Sequence, residues 1–180
     1  FAWGIPGSVG GGAYMDAGAY GGEMRDVVSR VLHLGPDGAP GEARGEELCF
    51  GYRKSRYTGG EDIITAVEFT LQPGDPAAIA GKMEELMARR KDKQPYDMPS
   101  AGSVFKRPQN GFAAALIEQC GLKGRRVGGA QVSEKHAGFI VNTGGATCQD
   151  VLGLIAVIQK TVEEQTGTCL ECEVRVTGEE

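Results

Sequence analysis

The feature that most limits the fold of this 180-residue chain is a glycine-rich segment near its start, GIPGSVGGGAYMDAGAYGGE, residues 4–23. Eight of these twenty residues are glycine, which disfavours long helices and strands because glycine loses the most backbone freedom on folding. Three explanations are open: a flexible linker, a turn-rich structural loop, or a loop whose backbone lies against a ligand. Ile5-Pro6-Gly7 predicts a type II turn, and residues 10–12 would let backbone N–H groups approach a phosphate.

Two familiar phosphate-binding motifs do not match this segment. The dinucleotide fingerprint G-x-G-x-x-G follows a strand, and no strand pattern precedes residue 4. A P-loop ends in Lys followed by Ser or Thr, and no such pair follows the glycines directly. Composition by itself therefore favours a structural loop. Because the chain opens at Phe1, directly before this segment, we also expect it to be part of a longer protein.

Strand-like patterns recur along the rest of the chain. Residues 24–34 alternate apolar and polar side chains, and residues 63–71 are rich in β-branched ones, so both predict strands. The glycine- and proline-rich residues 35–47 between them predict a turn or a hairpin. Residues 128–142 are again rich in strand-forming side chains, and a last strand is predicted over residues 169–176.

Three helices are predicted from capping residues and apolar stripes. Asp75 and Pro76 are typical of an N-cap and a first helical residue. Asn110 is predicted to cap the second helix, and Thr147 and Asp150 form a capping box for the third. Strands interleaved with helices indicate an α+β fold. The predicted apolar stripes are Ile79, Met83, Leu86 and Met87 in the first helix, and Val151, Leu154, Ile155, Ile158 and Val162 in the third.

Charge and cysteine content limit the classes of function. Nineteen basic and 24 acidic residues give a formal charge of −5 at pH 7, so we expect no nucleic-acid partner. No apolar run approaches the roughly 18 residues that cross a bilayer, so we expect no membrane partner. Five cysteines at irregular spacing favour reduced thiols and a cytoplasmic protein.

Several polar side chains in loop-like segments are candidates for a site. Arg53 in FGYRKSRY offers a planar fork for a carboxylate or phosphate, and Tyr52 adds a hydroxyl and an aromatic face. Taken alone, this segment favours a solvated basic turn over a binding site. Ser103 in PSAGSVFKRP could act as an acid, a nucleophile or a donor, although a plain turn serine is the default. Glu171 and Glu173 share one face of the last predicted strand, and we expect that face to be solvated.

Cys169 and Cys172 form a C-x-x-C pair. One pair does not complete the four ligands of a structural zinc site. Residues three apart on a strand point to opposite faces. The sequence therefore predicts neither a metal site nor a redox role here.

Six segments in this order resemble the UDP-N-acetylenolpyruvoylglucosamine reductase family (MurB), bacterial flavoenzymes of peptidoglycan precursor synthesis. The segments are GIPGSVGG, AGAYGGE, YRKSRY, PSAGSVFKRP, LIEQCGLKGRRVGGAQVSEKHAGFIVN and LECEVRV, which together span essentially the whole chain. The short passage from Arg53 to Ser103 and the stretch SEKHAGFIVN are similar to the shorter, second structural type of the family.

The resemblance implies two domains and a flavin cofactor. Residues 1–94 would be the C-terminal half of an FAD-binding lobe, and residues 95–180 a substrate-binding domain whose strand 169–176 returns to the flavin lobe. The family's upstream part of the flavin lobe has no counterpart in this sequence. The glycine-rich segment would then lie against FAD. The residues implied to bind FAD are Gly4, Ile5, Pro6, Gly7, Ser8, Gly10, Gly11, Gly18, Ala19 and Tyr20.

The activity implied is a two-step reduction by a monomer that binds no metal. NADPH would reduce FAD, and reduced flavin would pass a hydride to UDP-N-acetylglucosamine enolpyruvate, giving UDP-N-acetylmuramate. Ser103 matches the family's proton donor, while Arg53 and Glu173 match residues that polarise the substrate carboxylate and support the developing enol. The positions that resemble those holding the nucleotide-sugar are Tyr52, Lys93, Arg107 and His136.

One residue and the missing lobe depart from the family pattern. Asp16 stands where many members carry Asn, which puts a charge near the expected cofactor loop. Without the upstream lobe, an alternative is an inactive fragment that binds the UDP-sugar but not FAD. A third reading is an interaction module whose glycine-rich segment is purely structural.

Overall fold

The computed structural model describes residues 1–178. It contains both helices and sheets, which confirms the predicted α+β class. The chain divides into two compact units, Phe1–Arg90 and Lys91–Glu180. This division lies four residues before the predicted boundary between 94 and 95.

The glycine-rich segment forms a short helix as well as turns. Helix α1 runs over Val9–Tyr14, and the Ser8 hydroxyl caps it by accepting the N–H of Gly11 at 3.0 Å. The predicted turn at Ile5-Pro6-Gly7 is wrong. The hydrogen-bonded turn joins the Ile5 N–H to the Ala2 carbonyl at 3.0 Å, with Gly4 at φ +81°. Gly7 has φ +141°, far from the roughly +80° that a type II turn requires.

A three-stranded antiparallel sheet forms the centre of the first unit. Its strands are β3 (Val28–Leu34), β4 (Pro40–Arg44) and β5 (Ile63–Phe69), in the order β4-β3-β5. The predicted hairpin is confirmed, since β3 and β4 pair across a turn that the Gly35 N–H closes on the Ala39 carbonyl. Strands β1 (Gly18–Ala19) and β2 (Gly22–Glu23) form a separate small hairpin. The buried core consists of Ala13, Met24, Val28, Val31, Ala43, Leu48 and Tyr57.

Helix α2 runs over Pro76–Lys93 and begins where the sequence predicts. The Asp75 carboxylate accepts the N–H of Ala78 at 2.8 Å, which satisfies one of the donors left open in the first turn. The predicted apolar stripe is buried only in part. Leu86 is buried, whereas Ile79, one turn into the helix, is 48% exposed.

The second unit packs two helices and a four-stranded sheet around its own core. The strands are β6 (Ser100–Ser103), β7 (Arg126–Val127), β8 (Ala130–Val132) and β9 (Phe139–Asn142), in the order β6-β9-β8-β7. Helix α3 runs over Ala113–Gln119 and helix α4 over Cys148–Thr166. The core includes Val104, Phe105, Ile117, Val132, Ile140, Leu154, Ile155, Ile158, Val162 and Leu170.

The two helices of this unit begin differently. The predicted Asn110 cap is wrong, because α3 begins at Ala113 with Phe112 as N-cap and no side-chain hydrogen bond. Gly111, at φ +128°, separates Asn110 from the helix. The capping box of α4 is confirmed: the Asp150 N–H donates to the Thr147 hydroxyl at 3.1 Å, and the Thr147 N–H donates to the Asp150 carboxylate at 2.9 Å.

The predicted strand over residues 169–176 is wrong as a regular element. The segment makes one isolated antiparallel bridge, between Cys172 and Phe105. The N–H groups of Glu173 and Val174 both donate to the carbonyl of Val104, at 2.8 and 3.4 Å. Two donors on one carbonyl break the regular alternation of a ladder. Within residues 1–178, no helix has both the length and the hydropathy to cross a bilayer.

Candidate functional site

Helix α2 holds the first residues of the chain. The buried Arg90 guanidinium donates to the carbonyls of Phe1 at 2.8 Å and Trp3 at 3.0 Å. Gly4 lies so close to α2 that a Cβ would come within 2.7 Å of the Met87 methyl carbon. A side chain at position 4 would therefore require Met87 to shift and would be strained at the Gly4 φ of +81°.

The remaining residues predicted to bind FAD lie in the irregular segment before α1 (Ile5, Pro6 and Gly7), at the start of α1 and on the small hairpin. Ser8, Gly10 and Gly11 form the cap and first turn of α1. Tyr20 stands at the tip of the β1–β2 hairpin with φ +53°. Its ring lies 4.8 Å from the guanidinium carbons of both Arg89 and Arg90. Cation–π contacts of this kind hold an aromatic ring that is still 40% exposed.

The Asp16 carboxylate, the predicted charge near the cofactor loop, is buried in the turn after α1. It accepts the Arg25 N–H at 2.9 Å and ion-pairs with the Arg25 guanidinium at 2.9 Å. The guanidinium also bonds Glu23 at 2.7 Å. A buried carboxylate needs such pairing. The contacts of Asp16 with Arg25 therefore stabilise the turn after α1.

Arg53 occupies a tight turn with an unusual backbone. Gly51 and Lys54 exchange two hydrogen bonds of 2.9 Å, and Arg53 between them has φ +56°. The left-handed conformation costs a residue with a Cβ about 1–2 kcal/mol. The guanidinium lies 4.9 Å from the centre of the Tyr52 ring and donates to the Gly18 carbonyl at 3.5 Å. Thus Arg53 lies beside the Gly18 that the sequence assigns to the cofactor.

Sequence reasoning missed the contacts that dock this loop onto α1. The Ser55 hydroxyl donates to the carbonyl of Tyr14 at 2.7 Å, and the Thr58 hydroxyl donates to the same carbonyl at 3.1 Å. The Tyr14 hydroxyl in turn accepts the N–H of Gly59 at 3.1 Å. Tyr14 ends α1, where carbonyls lack helical partners. The only local signal is the row of hydroxyl residues after Arg53.

A buried aromatic pair anchors the far side of the loop. The Tyr57 hydroxyl lies 3.1 Å from Nδ1 of His33, and both rings are buried. Burial raises the pKa of Tyr57. A Cβ at Gly41 would lie 2.5 Å from the His33 ring, so glycine on β4 makes room for the histidine. This pair was not predicted either.

In the second unit, Ser103 and Glu173 lie on neighbouring backbone segments. Ser103 is exposed at the end of β6, beyond a register irregularity at Gly102, which has φ +83°. Irregularities of this kind often re-aim a side chain next to a functional site. The next residue, Val104, accepts the N–H of half-buried Glu173 at 2.8 Å. The fold thus places Ser103 and Glu173, two of the three predicted catalytic residues, on adjoining backbone segments.

Glu171 and Glu173 have different surroundings, although both were expected on one solvated face. Glu171 is exposed and ion-pairs with Lys106. Glu173 is half-buried beside Val104. Glu173 is therefore the less exposed of the two residues.

The predicted nucleotide-sugar residues belong to both units. Tyr52 belongs to the first, and Lys93, Arg107 and His136 belong to the second. Lys93 ends α2 and pairs with Asp92 at 3.1 Å. Arg107 lies 4.2 Å from the ring centre of Phe112, which is 60% exposed.

His136 is held in a defined orientation. Its Nδ1 accepts the N–H of Gly138 at 3.1 Å, which leaves the hydrogen of the neutral ring on Nε2. The ring packs edge-on against Phe139 at 4.9 Å. Burial lowers the pKa of His136, so the neutral form prevails at pH 7. A neutral ring offers a donor, rather than a positive charge, to a ligand.

The C-x-x-C thiols have separate partners. Cys169 lies 3.0 Å from the Glu163 carboxylate, whose hydrogen bond raises the pKa of the thiol. Burial raises the pKa of Cys172. Both shifts disfavour the reactive thiolate at neutral pH. Within the described part of the chain, no group of three or more His, Cys, Asp and Glu side chains is arranged to hold a metal ion.

Comparison with known proteins gives consistent matches along the chain. Residues 94–177 match the family model described as UDP-N-acetylenolpyruvoylglucosamine reductase, C-terminal domain. UDP-N-acetylenolpyruvoylglucosamine reductase 2 of Bacillus cereus (strain ATCC 10987) and the corresponding reductase of Lactobacillus delbrueckii subsp. bulgaricus are each 50% identical over all 180 residues. The crystal structure of the reductase from Thermus caldophilus is 40% identical, with a TM-score of 0.82 over 96% of this chain.

The matches cover only part of each relative. This chain corresponds to 59% of the Bacillus protein, 61% of the Lactobacillus protein and 61% of the Thermus chain. It therefore spans about three fifths of the length of the proteins it resembles.

Proposed function

Because the chain is homologous over its whole length to the UDP-N-acetylenolpyruvoylglucosamine reductases and carries their C-terminal domain, we propose that it acts in the NADPH-dependent reduction of UDP-N-acetylglucosamine enolpyruvate to UDP-N-acetylmuramate. This step belongs to peptidoglycan precursor synthesis in the cytoplasm. The observation that carries the proposal is the backbone pairing of residues 104–106 with 171–174. It places the segment directly after Ser103, the candidate proton donor, against the segment that contains Glu173, the candidate carboxylate.

The glycine-rich segment fits the flavin that this reaction needs. Residues 7–9 are exposed, and a Cβ on Gly7 would meet no atom within 4 Å, so a ligand can approach the backbone closely. When bound, FAD reduced by NADPH supplies the hydride that adds to the enolpyruvyl double bond. The residues that would hold it are Gly4, Ile5, Pro6, Gly7, Ser8, Gly10, Gly11, Gly18, Ala19 and Tyr20.

Ser103 would donate the proton that completes the reduction. One alkene carbon gains a hydride and the other gains the proton from Oγ, so the double bond becomes a saturated C–C bond. A serine hydroxyl is a weak acid, and it donates only where neighbouring groups stabilise the charge it leaves. Ser103 is exposed at the end of β6, beyond Gly102, and its hydroxyl donates to the Phe105 carbonyl at 3.5 Å.

Arg53 and Glu173 would act on the carboxylate end of the substrate. The Arg53 guanidinium would bind the enolpyruvyl carboxylate as a fork, with two parallel hydrogen bonds. This withdraws electron density from the double bond and favours hydride addition. Glu173 would support the enol as it develops.

The remaining predicted residues would hold the nucleotide-sugar. Lys93 and Arg107 supply positive charge for the diphosphate, and Tyr52 and neutral His136 supply hydrogen-bond donors. These local groups would let a protein with a net charge of −5 bind an anionic substrate.

A second candidate function follows from the partial coverage of the relatives. A chain that spans 59–61% of their length could bind the UDP-sugar without holding FAD. Both candidate functions require binding of the UDP-sugar, but only the reductase also requires bound FAD. A yellow preparation with a flavin absorption band supports the reductase, whereas a colourless preparation that binds the UDP-sugar supports the second.

The test of the proposed function is calorimetric titration of the 180-residue chain with UDP-N-acetylglucosamine enolpyruvate. We expect saturable binding with one site per chain, and Ser103→Ala should leave it intact because the proton moves after binding. In a longer protein that joins the upstream flavin lobe to this chain and is loaded with FAD, Ser103→Ala should slow substrate reduction about 10²–10⁴-fold and leave flavin reduction by NADPH nearly unchanged in stopped-flow traces. Absence of binding, or equal slowing of both half-reactions, would contradict the proposal.

A further inference from the structure

The Arg53 turn needs support from outside itself. Its φ of +56° is one that an arginine adopts only when surrounding contacts hold it, because the conformation costs about 1–2 kcal/mol. The two hydrogen bonds between Gly51 and Lys54 close the turn. They do not fix its direction relative to the rest of the first unit.

Ser55 supplies a fixed link two residues after Arg53. Its hydroxyl donates to the Tyr14 carbonyl at 2.7 Å and accepts the Tyr57 N–H at 3.2 Å. The residue is only 7% exposed. Tyr14 ends α1, the helix that begins with the predicted cofactor residues Ser8, Gly10 and Gly11. One hydroxyl thereby joins the arginine loop to the glycine-rich segment.

The other contacts of the loop support the same link. The Thr58 hydroxyl donates to the same Tyr14 carbonyl at 3.1 Å and accepts the N–H of Ser55 at 2.9 Å. Each of these hydroxyls donates its one hydrogen to the Tyr14 carbonyl and accepts one backbone N–H of the loop. Neither therefore has a hydrogen left to donate to a ligand.

We infer that Ser55 is a positioning residue, whose hydroxyl bond to Tyr14 orients the Arg53 guanidinium for the carboxylate of the substrate. The inference rests on the proposed function, and it adds a residue that touches neither substrate nor cofactor. Loss of the Ser55 hydroxyl lets the strained turn relax. The Arg53 guanidinium then keeps its charge but no longer points toward the substrate carboxylate.

The experiment compares two ligands on the 180-residue chain by calorimetry: UDP-N-acetylglucosamine enolpyruvate and UDP-N-acetylglucosamine, which lacks the enolpyruvyl carboxylate. We define the ratio of their dissociation constants as the carboxylate preference. A charge-assisted hydrogen bond predicts a preference of at least about tenfold for the wild type. We expect Ser55→Ala and Arg53→Ala to lower it to near one, while the affinity for UDP-N-acetylglucosamine changes less than twofold.

Further variants separate positioning from general stability. Ser55→Thr keeps a hydroxyl and should retain the preference. Ser29→Ala is a matched control, because it removes another serine bond to a backbone carbonyl of the first unit, Glu68 at 3.2 Å, and should leave the preference unchanged. If Ser55→Ala does not fold, Thr58→Val removes the acceptor of the Ser55 N–H and the second hydroxyl on the Tyr14 carbonyl, which loosens the support of the Ser55 bond and should lower the preference in part.

The outcomes distinguish this inference from the proposed function. A wild-type preference that survives in Ser55→Ala overturns the inference alone, and so does an equal loss of affinity for both ligands. A wild-type chain without any preference overturns the role of Arg53 and the inference with it. A chain that binds neither ligand overturns the proposed function.

Discussion

At the residue scale, backbone carbonyls determine where several charged and polar side chains of the first unit lie. Arg90 donates to the carbonyls of Phe1 and Trp3, Arg53 to that of Gly18, and Ser55 to that of Tyr14. The position of a carbonyl oxygen is set by the backbone and does not depend on the side chain of the residue to which it belongs. Contacts of this kind let a glycine-rich segment hold a defined shape.

The first residue-scale prediction concerns the planar fork of Arg53. Arg53→Lys keeps the charge and the Cβ, so the backbone strain at φ +56° is unchanged, but the two parallel donors are lost. In an FAD-loaded protein that joins the upstream flavin lobe to this chain, we expect kcat/KM to fall about tenfold or more. Urea denaturation serves as control and should show the same midpoint for both proteins. An unchanged kcat/KM would place Arg53 outside the substrate site.

The second residue-scale prediction concerns pH. Burial lowers the pKa of His136 below its ordinary value of 6.5, so on acidification the unfolded chain takes up a proton before the folded one does. The free energy of unfolding should therefore be fully maintained above pH 6.5 and should decrease as the pH falls through the folded pKa. Urea denaturation at pH 7.5 and 5.5 measures this loss.

His136→Asn is the matched variant for that measurement, since its side-chain oxygen can still accept the Gly138 N–H. We expect a smaller loss of stability on acidification than in the wild type. Identical pH dependence in the two proteins would show that His136 is not the responsible group.

At the element scale, α4 is linked to the β7–β8 hairpin through its own cap. The Asp150 carboxylate accepts the N–H groups of Thr147 at 2.9 Å and Gly129 at 3.3 Å. A Cβ at Gly128 would lie 2.3 Å from that carboxylate, so the hairpin turn passes directly over the helix start. These hydrogen bonds lower the pKa of Asp150.

The element-scale prediction follows from the cap. Thr147→Ala removes the hydroxyl that accepts the Asp150 N–H, and we expect the free energy of unfolding to fall by about 0.5–2 kcal/mol. Urea denaturation measures the loss. Thr177→Ala, at an exposed position outside the helices and strands, is the matched control and should stay within about 0.5 kcal/mol of the wild type. Equal effects of the two substitutions would mean that the cap contributes nothing.

At the scale of the whole molecule, the first unit exposes many apolar side chains. Trp3 is 50% exposed, Val9 54%, Ile63 65% and Leu71 68%. Val9 belongs to α1 and Ile63 to β5, two elements that pack together. Cofactor sites usually bury most of the ligand surface. Within the first unit, the exposed residues of the glycine-rich segment do not bury most of the surface of a bound FAD.

We therefore predict that the 180-residue chain binds FAD weakly or not at all and shows no measurable reductase activity. Titration with FAD, followed by flavin fluorescence, measures the affinity. The second unit should remain folded, because it has its own core and a helix with both ends capped. Circular dichroism of the same sample is the control for folding. Tight stoichiometric binding of FAD would show that the glycine-rich segment holds the cofactor alone.

The features that the sequence predicted well depend on residues within one turn of each other. The caps at Asp75 and Thr147, the hairpin after β3 and the alternation of strands with helices were all confirmed. Among the local predictions, the Asn110 cap of α3 and the regular strand over residues 169–176 were wrong. Gly111 separates Asn110 from α3, and two N–H groups donate to the Val104 carbonyl where a regular strand would use one. The roles of the predicted site residues stay predictions.

By itself, the sequence determined the α+β class, the helix caps and the family resemblance, because each depends only on neighbouring residues or on the order of motifs along the chain. Only the tertiary structure decided that Glu173 lies beside Val104, that Arg25 neutralises Asp16, and that Ser55 bonds the end of α1. The Ser55 contact spans 41 residues and the Arg90 contact with Phe1 spans 89. Such partners share no local pattern, since loop closure and packing of the whole unit bring them together.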